Sequence, residues 1–100
     1  MALQAQLEEL LTRTFHPLFL SVEDESAQHA GHVGVRAAGG SHFRVTIVSE
    51  VFQGRSRLER HRQIYQTVAT LEAEIHALAL QAWTPEEWSE KKSRVVKDEI

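Results

Sequence analysis

Cysteine is absent from this chain of 100 residues. Its absence excludes disulfide cross-links, a thiol nucleophile, a thiolate zinc site and an iron–sulfur cluster held by this chain alone. Long apolar runs are missing too: none approaches the ~20 residues that a membrane-spanning helix needs. The opening MALQAQLEELL has no basic segment ahead of an apolar one, so no signal peptide is expected. Without an Arg/Ser-rich leader, the cytoplasm is the expected location. Proline occurs twice and glycine five times, four of the glycines falling in one stretch. Nor is there an excess of positive charge. Eleven basic side chains face fourteen acidic ones, so attraction to nucleic acid or an anionic membrane requires a local basic patch.

What remains is ordinary for a folded domain, with 42% hydrophobic and 25% charged residues, and one domain fits the length. Leu3, Leu7, Leu10 and Leu11 recur at helical spacing, and Pro17 biases His16 away from helical geometry and ends the segment. LFLSVED then alternates with Leu18, Leu20 and Val22 on one face, and HFRVTIVSE repeats the pattern through Phe43, Val45 and Ile47. Between these strands lies DESAQHAGHVGVRAAGGS, residues 24–41, too long for a hairpin turn. Structureless connections beyond ~12–15 residues are uncommon in compact domains and are usually functional or disordered.

A second helix starts at a capping box formed by Ser56 and Glu59. Leu58, His61, Ile64, Tyr65, Val68 and Leu71 or Glu72 follow at helical spacing, and the pattern decays over residues 71–74 into a break or a short second turn. A third strand opens at Ile75. Thr84 as N-cap, Pro85 at the first helical position and Glu87 three residues after the cap mark a last helix. Trp83 and Trp88 occupy the two positions of a hydrophobic staple across its start. The order is α-β-β-α-(α)-β-α, an α+β fold whose three-stranded sheet is covered by helices on one face. The domain is expected over 1–90, with a charged, frayed tail at 91–100.

The run GRSRLERHR places Arg55, Arg57, Arg60 and Arg62 within eight residues. On a net-acidic domain it is the best candidate, together with Arg44, for contacts to phosphates or to an acidic partner. No nucleophile elbow, phosphate loop or convincing carboxylate pair occurs, so an enzyme is not expected. His76 stands at the start of an otherwise apolar run. Read alone, it is a half-buried histidine bonded to backbone.

SHFRVTIVSEVFQGRSRLERHRQIY followed by IHALALQAWTPEEW closely resembles the BolA family, and the similarity runs from about Leu3 to Trp88. The resemblance implies a class II KH-like fold, in agreement with the element order above. It also implies an adaptor that pairs with a monothiol glutaredoxin in a heterodimer. The two proteins would share a 2Fe-2S cluster, together with the partner's glutathione, in iron–sulfur trafficking or iron and redox regulation. The family's cluster histidine is the one in HAL, here His76. The second ligand lies in the loop between the first two strands, at His29 or His32. Neutral imidazole binds iron, and a chain with no thiolate offers only half of such a site. A zinc site built from His29, His32 and His76 ranks lower, because nothing supplies a second shell or a general base. Some family members are described as DNA-binding transcriptional regulators that affect cell shape and stress response. That alternative would use the basic helix around Arg57 and Arg62 with Arg44. GHVG has the letters of the KH nucleic-acid loop but lies between two strands, so KH-type single-strand binding is not expected.

Overall fold

The computed structural model describes residues 2–25, 42–75 and 77–99 and, within them, all side chains except those of 72, 73 and 93–99. Helix α1 (Leu3–Phe15) buries Leu7, Leu11 and Phe15 at spacings of four. It stops where the pattern predicts. His16 adopts left-handed geometry at φ 45°, its N–H bonds the Thr12 carbonyl at 3.0 Å, and Pro17 follows. Strand β1 (Phe19–Asp24) pairs antiparallel with β2 (His42–Val48), and β2 pairs parallel with β3 (Ala77–Trp83), giving the sheet order β1-β2-β3. A parallel neighbour needs a crossover. Here helix α2 (Arg57–Thr67) and a 3₁₀ segment (Ala69–Glu74) provide it.

Alternation along the central strand decides the core. Phe43, Val45 and Ile47 are buried and meet Leu7, Leu11 and Phe15 of α1, Val22 of β1, and Ile64 and Val68 of α2. Burying each such side chain is worth about 1.5–3 kcal/mol. Phe52 closes one end of this core, its ring centroid 5.2 Å from that of Phe15. Helix α3 (Pro85–Glu99) leaves the end of β3, and its Trp88 stacks on Phe19 at 5.2 Å and meets Trp83 at 6.1 Å, as the staple requires.

Three details of the periodicity reading change. Leu18 precedes β1 and is 69% exposed, so only Leu20 and Val22 face inward. Leu58 and Tyr65 are exposed, because the inward line of α2 is Ile64–Val68 and Leu58 sits in its first turn. The third strand begins at Ala77 instead of Ile75, behind the 3₁₀ segment. No helix among the described residues is long and apolar enough to cross a membrane.

Candidate functional site

At one end of the sheet, Glu25 donates its N–H to the His42 carbonyl at 2.7 Å, and His42 stands opposite Ala77. Residues 26–41 run between Glu25 and His42, and residue 76 immediately precedes Ala77. The described neighbours of all three candidate ligands therefore share one end of the sheet. His29, His32 and His76 themselves lie outside the described residues. Among the described residues, no group of three His, Cys, Asp or Glu side chains is placed to hold a metal ion. Arg44 of β2 reaches across this end to Glu25 at 2.9 Å, and that hydrogen bond raises the arginine pKa further.

The basic run divides. Ser56 and Glu59 form the expected capping box: the Ser56 hydroxyl accepts from the Glu59 N–H at 3.1 Å, and the Glu59 carboxylate accepts from the Ser56 N–H at 2.7 Å. This bonding holds Glu59 below the usual carboxylate range. The box starts α2 so that Arg55, Arg57 and Arg62 are exposed. Arg60 turns inward instead. Its Nε donates to the Arg55 carbonyl at 2.9 Å and its Nη1 to the Ala82 carbonyl at 3.0 Å. Nη1 and Nη2 grip the two Glu87 oxygens at 2.7 and 3.2 Å, leaving the arginine side chain 11% exposed. Arg60 thus spends four of its five N–H donors on partners within the fold.

Glu87 receives this grip while also capping α3. Its carboxylate accepts from the Thr84 N–H at 2.9 Å, and the Thr84 hydroxyl accepts from the Glu87 N–H at 3.2 Å. The Arg60 hydrogen bonds are the main cause that lowers its pKa from 4.5 to about 2, against the opposing effect of burial. His61, half-buried beside them, is pushed below 6.5 first by burial and then by the charges of Arg57 and Arg60. Between α2 and β3 opens a cleft of about 470 Å³, lined by Arg57, His61, Leu80, Gln81 and Trp83 together with the Arg60–Glu87 pair. Sequence spacing gave no sign of that pair, since 27 positions separate its members.

The family model for BolA-like protein matches residues 11–87. The chain is 45% identical over 89 residues to the Escherichia coli protein named DNA-binding transcriptional regulator BolA, covering 88% of this chain and 81% of that one. It is 44% identical to SufE-like protein 1 of Arabidopsis thaliana, spanning only 24% of that longer protein's length. Among solved structures, the BolA domain of SufE1 from Arabidopsis thaliana superposes with a TM-score of 0.73 at 42% identity, over 84% of this chain and 93% of that one. BolA1 from Mus musculus gives 0.75 at 35% identity, over 90% and 71%.

Proposed function

This chain belongs to the BolA family, and from that premise we propose that it is a cytoplasmic, non-enzymatic adaptor that pairs with a monothiol glutaredoxin. Together they share a 2Fe-2S cluster, in iron–sulfur trafficking or iron and redox regulation. His76 ligates the cluster with His29 or His32, and the partner cysteine and its glutathione supply the sulfur. The observation that carries this reading is the shared sheet end. Glu25 and His42 are tied by a 2.7 Å hydrogen bond beside Ala77, so the segment with two histidines starts and ends next to the residue that follows the third. The donor set fits the group in part only. Imidazoles without a thiolate complement a cluster but do not complete one. When bound, the cluster supplies redox-active iron. What this chain contributes is nitrogen donors in segments that adjoin one end of the three-stranded sheet.

Reconstituting the cluster on a monothiol glutaredoxin with glutathione, and titrating this chain while recording visible circular dichroism, tests the reading. A change that saturates at a fixed ratio and is altered in His76→Ala is expected. No spectral change and no association refutes the adaptor, and a change indifferent to His76→Ala refutes the ligand assignment. Parallel His29→Ala and His32→Ala variants separate the two loop histidines.

A second reading is favoured by the Escherichia coli relative, which is named as a DNA-binding transcriptional regulator. Exposed Arg55, Arg57 and Arg62 at the start of α2 would contact DNA phosphates, with Arg44 in support. Such binding weakens steeply as salt rises and falls on replacing Arg57 and Arg62. Retention on DNA that is absent or insensitive to salt refutes it.

A further inference from the structure

Strand β3 lies at the edge of the sheet, and its backbone parity is fixed by Ser49, whose N–H donates to the Trp83 carbonyl at 3.0 Å. Trp83, Gln81, Ala79 and Ala77 thus turn their peptide groups toward β2, and Leu78, Leu80 and Ala82 turn theirs outward. Exposed edges invite pairing, and folds protect them. Here α2 covers two of the outward carbonyls: the Tyr65 hydroxyl donates to Leu78 O at 3.3 Å and Arg60 to Ala82 O at 3.0 Å. Between these plugs, the Leu80 carbonyl and the N–H groups of Leu80 and Ala82 have no partner among the described residues.

The cleft of about 470 Å³ opens on this gap. Trp83 lines it and keeps a buried indole N–H that no described acceptor meets. Arg57 adds an exposed positive charge, while the negative charge of Glu87 is already answered by Arg60. The gap therefore offers donors and one acceptor that no described residue meets, together with net positive charge. We propose that it binds an acidic peptide segment in extended conformation, which adds a short strand at Leu80–Ala82. One ligand residue donates its N–H to the Leu80 carbonyl and accepts from the Ala82 N–H, and a neighbouring carboxylate faces Arg57. Main-chain pairing supplies the affinity and the side chain the selection. A DNA backbone answers the donors but has no donor for the Leu80 carbonyl, so the chemistry favours peptide over DNA. The site lies several residues along β3 from Ala77 and uses none of the candidate cluster ligands.

The test is a titration of the ¹⁵N-labelled full chain, without iron, followed by NMR. The probes are Ac-Val-Glu-Val-Asp-Val-NH₂, its lysine counterpart, its variant N-methylated at the central valine, and a ten-nucleotide oligothymidylate. The acidic peptide is expected to give saturable shifts at the Leu80 and Ala82 amides and the Trp83 indole, and to slow exchange of the Ala82 amide at least tenfold. Arg57→Glu weakens that binding at least tenfold, and N-methylation abolishes it with the protein unaltered. Equal shifts with the lysine peptide, shifts with the oligothymidylate in place of the acidic peptide, or no shifts with any probe overturn the proposal. These outcomes leave the cluster titration untouched, because neither iron nor a histidine ligand takes part.

Discussion

Replacing Glu87 by Gln isolates the charge in the Arg60–Glu87 pair, since glutamine still completes a capping box with Thr84. The native carboxyl is lowered from 4.5 to about 2, chiefly by the Arg60 hydrogen bonds. At ~1.4 kcal/mol per pH unit, that displacement corresponds to an upper figure of about 3 kcal/mol. The Glu87 side chain is 43% exposed, so water screens the pair and about 1 kcal/mol is expected in practice. In a domain of this size, 1 kcal/mol moves Tm by about 4–8 °C. Because the folded-state pKa is depressed, the contribution is fully present above the unfolded carboxylate value of ~4.3 and is lost as pH falls toward about 2. Urea titrations of both proteins at pH 7, 4 and 2.5 should therefore show a gap near 1 kcal/mol at pH 7 that closes with acid. A gap that is constant across this range, or absent at pH 7, refutes the reasoning.

Ser49 is 1% exposed, donates its hydroxyl to the Phe15 carbonyl at 2.7 Å and accepts from the Val51 N–H at 3.1 Å. Ser49→Ala should cost about 1–3 kcal/mol in urea denaturation, because two backbone groups lose their partner. Gly54 has φ +75° and nothing within 4 Å of an added Cβ, so Gly54→Ala should cost about 1–2 kcal/mol from backbone strain alone. Gly54→Asn should cost less in the same assay, since asparagine tolerates that conformation. His61 should titrate below 6.5 by NMR. Arg57→Gln should raise its midpoint only partway, because burial is the larger cause and the Arg60 charge remains.

Local chemistry was legible wherever a few neighbouring residues carry the whole signal. The Ser56–Glu59 and Thr84–Glu87 capping boxes, the Trp83–Trp88 staple and the stop of α1 ahead of Pro17 all follow from spacings of five residues or fewer. Alternation in HFRVTIV marked Phe43, Val45 and Ile47 as core because a strand's period of two is fixed by its geometry. Periodicity was less reliable at the edges. Leu18, Leu58 and Tyr65 fit the pattern and still lie outside, because an apolar residue is buried only where another layer exists to cover it.

By itself, then, the sequence determined the elements, their caps, the interior face of the central strand and the absence of any thiolate. Tertiary structure alone decided where side chains distant along the chain meet. The fold turned Arg60 from surface cation into an internal clamp on Ala82 and Glu87, and paired Arg44 with Glu25. Among the described residues, it also left Leu80 as the gap in a guarded strand edge. The reason is physical. Caps and strand alternation depend on torsions and hydrogen bonds within a few residues, whereas an ion pair or an open edge depends on sheet order and crossover, which no local spacing encodes.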